Sequence, residues 1–224
     1  MTTAKLIAVT QPLPDTGIPD AEALVAYCAR VSAPQNQGNH DTTPRLLAYL
    51  IRNQHWSPWE MVHAVVQIDT TRDIGRQVLR HKSFSFQEFS QRYAEVLFNP
   101  IVREARLQDA QNRQASIQTD DELLHELWEA SQMRVWEAAS DAYQKAIKLG
   151  IAKEVARAVL PEGMTPSRIY MAGSLRSWLH YLALRRGSGT QLEHVHLAND
   201  IVAALRPVFP HTVAVLDVTS GGTA

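Results

Sequence analysis

Cations, hydroxyls and aromatic rings are concentrated in the stretch from Arg72 to Tyr93. Five Lys and Arg residues there face two carboxylates, and residues 80–93 read RHKSFSFQEFSQRY. Charged and hydroxyl donors can hold phosphate oxygens, and aromatic side chains can stack on a flat ring. The stretch has no glycine-rich loop of the P-loop or dinucleotide-binding type. It predicts a site for a phosphorylated, ring-bearing ligand. The alternative is a solvated basic face, because Arg72, Arg76 and Arg80 are four residues apart.

Two further segments place cations at helical spacing. Lys153 and Arg157 lie four apart on a short apolar helix, where an arginine is also compatible with a surface group whose stem is buried. Gln191 and Glu193 are either polar partners of a site or ordinary residues of a helix start. In the segment 174–186, helical spacing puts five polar side chains on two adjacent faces: Arg176 with His180, and Ser177 with Tyr181 and Arg185. A histidine in such a position is also typical of a purely structural residue.

Other classes of active site have little support in the sequence. Cys28, the one cysteine, lies in the apolar stripe of a predicted helix over 21–31, which favours a buried side chain over a nucleophile. His194 and His196 are two residues apart, and no histidine pair has zinc-like spacing on one helix, so we expect no metal. The absence of a Gly-x-Ser-x-Gly elbow argues against a serine hydrolase.

The composition is that of an ordinary globular protein, with 224 residues, 45% of them hydrophobic, and a net charge of −1. We expect one domain over 1–217 and a disordered, glycine-rich tail over 218–224. The near-neutral charge excludes a broad basic nucleic-acid surface. No apolar run reaches the roughly 18 residues of a membrane helix, and the first residues lack the apolar core of a signal peptide. We therefore expect a cytoplasmic protein with no nucleic-acid or membrane partner.

The elements that must position these groups are helices mixed irregularly with strands, which predicts an α+β fold. Periodicity and capping signals predict strands over 5–11, 61–71 and 167–172 and helices over 21–31, 120–149, 151–160, 174–186 and 192–205, with another starting at Thr43. A capping box at 119–122 opens the longest helix, whose length of about 45 Å predicts packing against a second subunit. The polar stretch 103–119 is either a lid over the substrate or a long exposed loop.

Five motifs together resemble the flavin-dependent thymidylate synthases. Arg80-His81-Lys82, seven residues and then Ser90 is similar to the Arg-His-Arg-x7-Ser signature of that family. The other four follow in the family's order over most of the chain: Ala29–Ser32, His55–Glu60, Glu154–Pro161 and Leu175–Arg185. The resemblance implies an α+β fold with a small, largely antiparallel sheet, assembled as a homotetramer with active sites between subunits.

The resemblance also implies the ligands and the residues that hold them. Each site would bind FAD, a uridine monophosphate, NADPH and methylenetetrahydrofolate, and would convert dUMP to dTMP by reductive methylation at C5. The FAD contacts would be Ser57, Arg80, His81, Lys82, Glu88, Ser174, Arg176 and His180. The nucleotide contacts would be Gln77, Arg80, Glu88, Ser90, Arg92, Arg157 and Arg185, with Arg157 from a neighbouring chain and Arg185 as the catalytic arginine.

Arg185 suits that role because a guanidinium stays charged and can stabilise negative charge that develops over N3 and the adjacent carbonyl of uracil. Reduced FAD would supply the hydride and relay the one-carbon unit, so no cysteine nucleophile is needed. Ser90 is then a donor to phosphate rather than a nucleophile. The sequence departs from the family at Lys82, where the signature has its second arginine. It departs from some members at Ser174, His180 and Gly189, where they carry asparagine or histidine.

Two alternatives remain open at this point. The same chemistry could methylate UMP in nucleoside secondary metabolism, or could hydroxymethylate dUMP. A non-enzymatic binder of single-stranded nucleic acid would instead use Phe84, Phe86, Phe89 and Tyr93 as a stacking platform, although the neutral charge argues against it.

Overall fold

The computed structural model describes residues 2–96 and 99–220, with the backbone alone for 217–220. The strands are β1 Thr3–Val9, β2 His63–Thr71, β3 Ser85–Glu88, β4 Arg106–Gln108, β5 Ser116–Gln118 and β6 Pro166–Ser174. The main sheet has the order β1-β2-β6-β3, and each neighbouring pair is antiparallel. β4 and β5 form a separate antiparallel hairpin. The predicted α+β class with a small antiparallel sheet is confirmed.

The helices surround this sheet. They are α1 Ala21–Ala29, α2 Thr43–Arg52, α3 Arg72–Val78, α4 Glu122–Lys148, α5 Lys153–Ala156, α6 Leu175–Arg185, α7 Leu192–Leu205 and α8 Pro210–Ser220. A short 3-10 helix, Ser57–Met61, leads into β2. Over 2–96 and 99–220, no helix is both long and apolar enough to cross a membrane.

One face of the sheet carries the main core. In β2 and β6 the side chains alternate between buried and more exposed positions, as expected for a sheet packed on one side. Buried residues lie directly opposite each other: Ala64 and Gly173, Val66 and Met171, Ile68 and Ile169. They share one apolar cluster with side chains of α1, α6, α7 and α8.

The two central strands also position the helices that carry the predicted site. β2 and β6 run antiparallel, so α3 leaves the end of β2 and α6 leaves the opposite end, after β6. The backbone carbonyl of Thr165 accepts a hydrogen bond from the N–H of Arg72 at 3.0 Å, and the carbonyl of Val62 accepts one from Leu175 at 2.8 Å. Each helix is thus fixed, at its first residue, to the residue that immediately precedes the neighbouring strand. The C-terminal ends of α3 and α6 then approach each other.

The helix start predicted at a capping box is formed differently. Asp121 is the N-cap of α4, and its carboxylate accepts a hydrogen bond from the N–H of Leu124 at 3.0 Å. The Thr119 hydroxyl accepts instead from the N–H of Asp121 at 3.3 Å. Two adjacent aspartates made the register ambiguous in the sequence. The predicted helix over 151–160 is also shorter, because α5 ends at Ala156 and a 3-10 turn, Arg157–Val159, follows it.

The C-terminus differs from its prediction. The sequence predicts a disordered tail over 218–224, but α8 continues through Ser220, while 221–224 lie outside the described residues. This helix was not predicted because the group that caps it is remote in sequence. The buried carboxylate of Glu22, on α1, accepts hydrogen bonds from the backbone N–H of His211 and of Thr212, the second at 2.7 Å.

The stretch 103–119 is not a long irregular loop, and its role as a lid over the substrate stays a prediction. It contains the β4–β5 hairpin, whose strands are largely exposed. Arg106, at the first residue of β4, has an ion pair with Glu193 of α7. The hairpin is therefore attached to the helix next to α6 rather than free in solvent.

Candidate active site

The catalytic arginine predicted from the family lies in the last turn of α6, against the turn that follows α3. Nε of Arg185 donates a hydrogen bond to Nε2 of His81 at 2.9 Å. His81 is therefore an acceptor at Nε2, which in a neutral imidazole places the proton on Nδ1. Burial, and then the charges of Arg185 and Arg80, lower the pKa of His81 to about 4. The structure thus joins the predicted catalytic residue to the Arg-His-Lys motif.

Behind His81, five polar side chains form one line of hydrogen bonds, which we call the polar chain. The Tyr181 ring lies edge-on to His81, with centroids 4.7 Å apart. The chain runs from the hydroxyl of Tyr181 to Nε2 of His194 at 2.9 Å, from Nδ1 of His194 to Oε1 of Gln77 at 3.1 Å, from Nε2 of Gln77 to Oε1 of Gln191 at 2.8 Å, and from Nε2 of Gln191 to Oε2 of Glu193 at 2.8 Å. It connects α6, α7 and α3.

Arg80 and Lys82 provide exposed positive charge beside this contact. Both side chains are exposed, and within the described residues neither has an ion-pair partner. Most of the nearby cations are neutralised, because Arg72 pairs with Glu88 and Arg76 pairs with Glu162. A pair of cations without local counter-charges fits the phosphates of a flavin dinucleotide, which are permanently anionic. The donor chemistry of the site therefore fits the cofactor that the resemblance implies.

A second group of predicted flavin residues lies at the start of α6. The Ser174 hydroxyl caps this helix by accepting a hydrogen bond from the N–H of Ser177 at 3.3 Å. Nη1 of Arg176 contacts Glu60 at 3.1 Å, in the same 3-10 helix that begins at Ser57. The predicted positions Ser57, Ser174 and Arg176 are thus brought to one end of the sheet.

His180 lies one helical turn beyond Arg176. Its ring packs on Trp56, with centroids 4.6 Å apart. Burial and the charge of Arg176 lower the pKa of His180, against an opposing effect of Glu60. The neutral ring provides a flat surface on the outside of α6.

Glu88 lies at the end of β3, between a cation and a hydroxyl. Its Oε1 is 3.3 Å from Nη1 of Arg72 and accepts a hydrogen bond from Ser167 at 2.9 Å. These contacts hold the carboxylate at the edge of the sheet. Any further ligand of Glu88 would have to use the second carboxylate oxygen, Oε2.

The other predicted phosphate-binding residues form a separate group. The Arg92 Nε donates to Glu154 of α5 at 3.2 Å, and Arg157 Nε donates to the Glu154 carbonyl at 3.3 Å. The Ser90 hydroxyl accepts from the N–H of Arg92 at 3.3 Å. Among the residues described, no hydrogen bond or ion pair joins this group to Arg185. Within one chain, Arg92 and Arg157 are therefore bonded to Glu154 of α5, and Arg185 is bonded to His81.

Two alternatives left open for the Arg72–Tyr93 stretch disagree with the structure. Arg72, Arg76 and Arg80 do not form one solvated helix face, because α3 ends at Val78 and the first two arginines are ion-paired. A stacking platform that includes Phe84 is also not formed, because Phe84 is 9% exposed and packs edge-on to Trp178 at 4.7 Å. The aromatic ring at that position belongs to the core.

Sequence reasoning missed two members of the polar chain. The spacing predicts Tyr181 on the helix face of Arg185 but assigns it no role. For His194, the sequence gives only a spacing to His196 that does not suit a metal. Its position gave no signal, because a buried histidine in an apolar helix is recognisable only when its partners on other elements are known. Cys28 is half-buried, and burial raises the pKa of its thiol, in agreement with a structural residue.

The polar chain predicts a pH dependence of stability. His194 is fully buried, and burial, followed by the charges of Arg185 and His81, lowers its pKa from 6.5 to about 3. The unfolded chain therefore binds a proton near pH 6.5 that the folded chain does not bind. The stability contributed by neutral His194 is fully present above that pH and is lost as the pH falls. We expect the free energy of unfolding to decrease by about 2 kcal/mol down to about pH 5 from this residue alone.

Denaturant titrations between neutral pH and about pH 5 measure this effect. His194→Gln should make the dependence shallower, because glutamine does not titrate, while His81, whose pKa is lowered to about 4, keeps its own contribution. The exposed His63→Gln is the matched control and should keep the slope of the wild type. Equal slopes for all three proteins would contradict the assignment of His194 as a buried neutral base.

Together, the antiparallel sheet and the cationic, hydrogen-bonded site between α3 and α6 define a class of α+β protein suited to phosphorylated, ring-bearing ligands. Comparisons with known proteins identify the family within this class. The family model described as thymidylate synthase complementing protein matches residues 12–211. A probable flavin-dependent thymidylate synthase of Paramecium bursaria Chlorella virus 1 is 47% identical over 96% of this chain and 98% of its own. The chain therefore belongs to the flavin-dependent thymidylate synthases, and the predicted resemblance is confirmed.

Two further relatives agree with this assignment. The flavin-dependent thymidylate synthase of Synechocystis sp. is 46% identical over 88% of this chain and 89% of its own. A crystal structure of PolB from Streptomyces cacaoi, a UMP/dUMP methylase bound with 5-Br dUMP, superposes with a TM-score of 0.83 at 27% identity. The match covers 97% of this chain and 95% of PolB. This protein is thus an enzyme of a family that depends on a flavin.

Proposed function

We propose that this enzyme converts dUMP to dTMP by reductive methylation at C5, with FAD, NADPH and methylenetetrahydrofolate. The observation that carries the proposal is the contact of Arg185 with His81, which places a guanidinium beside the Arg-His-Lys motif. Relatives at 47% and 46% identity with thymidylate synthase names support the same substrate. Bound FAD would supply the hydride and the route for the one-carbon unit.

Flavin binding would use the cations at the end of α3 and the start of α6. Arg80 and Lys82 are exposed and lack counter-charges among the described residues, so they would bind phosphate oxygens. His81 retains an Nδ1 proton that it could donate, because Arg185 occupies its Nε2. The remaining predicted contacts are Glu88 at the sheet edge and Ser57, Ser174, Arg176 and His180 around the start of α6.

Arg185 would bind the uracil ring and stabilise charge on it. A guanidinium directs its donors in one plane, which matches the N3 and carbonyl edge of uracil. Preorganised donors of this kind lower a barrier because they need not reorient as charge develops. The hydrogen bond from Nε to His81 fixes the plane of the guanidinium and leaves both Nη groups to the substrate.

A homotetramer would bring the two groups of nucleotide residues together. Within one chain, no hydrogen bond or ion pair among the described residues joins Ser90, Arg92 or Arg157 to Arg185. Arg157 would instead serve the site of a neighbouring subunit. The face of α4 supports such an assembly, because four large apolar side chains on it are 45% to 64% exposed: Leu123, Leu127, Trp128 and Val135. A face of this kind is typical of a subunit contact.

A second candidate substrate is UMP. The PolB structure is described as a UMP/dUMP methylase, and it also superposes in complex with 5-Br UMP at a TM-score of 0.82. Steady-state kcat/KM values for dUMP and UMP decide between the two. We expect preference for dUMP, by about 10- to 200-fold if the site merely lacks room for the hydroxyl. A preference for UMP would overturn the proposed substrate and retain the reaction.

Lys82 provides a test of the flavin site. If its ammonium contacts an FAD phosphate, Lys82→Ala should weaken FAD binding by roughly 1–3 kcal/mol, the effect of a lost charged hydrogen bond. Lys82→Arg should bind FAD as tightly or more tightly, because the family signature has arginine here and its fork matches phosphate. Titration of the apoprotein with FAD by absorbance measures both. Equal affinities in the three proteins would show that Lys82 does not contact the cofactor.

A further inference from the structure

The polar chain ends at one group whose hydrogen-bonding role is unambiguous. The side chain of Glu193 is 17% exposed and has an ion pair with Arg106 through Oε1. Burial raises the pKa of Glu193, but hydrogen bonds from its own N–H, from Gln191 and from Arg106, with the charge of Arg103, lower it overall. The ionised carboxylate can only accept hydrogen bonds.

The Glu193 carboxylate, as an obligate acceptor, determines the orientation of the amides of Gln191 and Gln77. Oε2 of Glu193 must receive an N–H from Gln191, so the carbonyl oxygen of Gln191 faces Gln77. Gln77 must then donate from Nε2, and its Oε1 faces His194. When the group at one end of such a network can only accept, the network determines which side of each amide carries the oxygen and which carries the nitrogen.

The orientation of Gln77 in turn determines which nitrogen of His194 carries the proton. Nδ1 of His194 meets the carbonyl oxygen of Gln77, so Nδ1 carries the proton. The fully buried imidazole is neutral, and its Nε2 therefore accepts from the hydroxyl of Tyr181. Every hydrogen bond of the chain thus points from Tyr181 toward Glu193.

We propose that Glu193 is a positioning residue: its carboxylate fixes the direction of the whole polar chain and thereby the position from which Gln77 offers its second N–H to the nucleotide. Within the described residues, one Nε2 hydrogen of Gln77 is directed at Gln191 and the other has no partner. Uracil carbonyls and phosphates are acceptors, and an amide N–H fits either. The nucleotide part of this inference rests on the proposed function, whereas the direction of the chain does not.

Without the carboxylate, the chain can reverse. In Glu193→Gln the last group becomes an amide that can donate or accept, so Gln191 and Gln77 are free to turn over and His194 to move its proton to Nε2. A reversed Gln77 directs its carbonyl oxygen to Gln191 and uses Nε2 for His194. The nucleotide then meets an amide whose orientation is no longer defined. We expect KM for dUMP to rise about tenfold, the effect of one lost hydrogen bond, and kcat to change much less.

The tautomer of His194 tests the inference in the flavin-loaded protein without any substrate. In protein labelled with 15N-histidine, two-bond nitrogen–proton correlations distinguish the Nδ1–H and Nε2–H forms of a neutral imidazole. We expect the Nδ1–H form in the wild type and a mixture of both forms in Glu193→Gln. The double variant Gln191→Glu/Glu193→Gln restores an obligate acceptor one position earlier, against Gln77, and should restore both the tautomer and KM.

Arg106→Gln is the matched control, because it removes the ion pair and keeps the carboxylate. It should retain the wild-type tautomer and KM. The inference is overturned if the wild type holds the Nε2–H form, if Glu193→Gln leaves the tautomer unchanged, or if Arg106→Gln reproduces the effect of Glu193→Gln. A correct tautomer in a protein that does not turn over dUMP would instead refute the proposed function alone.

Discussion

Arg185→Lys should lower the turnover number with dUMP by about two orders of magnitude or more, the scale of losing one preorganised donor. Lysine keeps one positive charge, but its ammonium cannot present a planar pair of donors to uracil while also holding His81. In the structure, Nε of Arg185 is the atom bonded to His81, so the substitution also releases that ring. Flavin binding should change less than turnover, because the cations that would face the flavin phosphates are Arg80 and Lys82.

Steady-state turnover and FAD titration of the same preparation separate these two effects. Arg52→Lys, at the exposed last residue of α2, is the matched control and should leave both quantities unchanged. Unchanged turnover in Arg185→Lys would mean that the catalytic role belongs to another residue. Equal losses of turnover and of flavin affinity would assign Arg185 to the cofactor instead.

Gly173→Ala should destabilise the fold at the point where the sheet supports the site. A Cβ at Gly173 would lie 2.5 and 2.7 Å from two ring carbons of Phe84. That ring cannot move aside easily, because it packs on Trp178 and Tyr181 with centroids 4.7 and 5.9 Å away. Overpacking of this kind costs about 1–3 kcal/mol, and the displaced ring would move Tyr181 of the polar chain as well.

Chemical denaturation of the wild type and variant measures the loss. Gly38→Ala is the matched control, because a Cβ at Gly38 has no heavy atom within 4 Å and the free energy of unfolding should change by less than about 0.5 kcal/mol. A Gly173→Ala protein as stable as the wild type would show that Phe84 can relax at no cost. Activity should then be preserved too.

Elements with a local signal could be predicted from the sequence. Helix α7 has the predicted bounds, 192–205, because its apolar periodicity is uninterrupted. β3 and α8 had no comparable signal. β3 is four residues long and is defined by its pairing with β6, and α8 is capped by Glu22 from α1. Both depend on contacts that form only when distant parts of the chain meet.

The same distinction applies to the candidate site. Spacing placed Tyr181 and Arg185 on one face of α6, and the family motif singled out His81, but only the fold puts His81 within hydrogen-bonding distance of Arg185. Burial then changes the chemistry of these groups, since it is the first cause of the lowered pKa of His81 and of His194. The sequence therefore identified these residues, but it could not predict their protonation states.

The mass of the product formed from dUMP decides whether the enzyme catalyses the proposed reaction. The purified enzyme is incubated under anaerobic conditions with FAD, NADPH, methylenetetrahydrofolate and dUMP, and the nucleotide is analysed by mass spectrometry. We predict a product heavier than dUMP by one CH2 group, which appears only when flavin is present. A product that carries an additional oxygen would indicate hydroxymethylation. Unchanged dUMP in the complete mixture, with UMP converted in a parallel reaction or with neither nucleotide converted, would contradict the account.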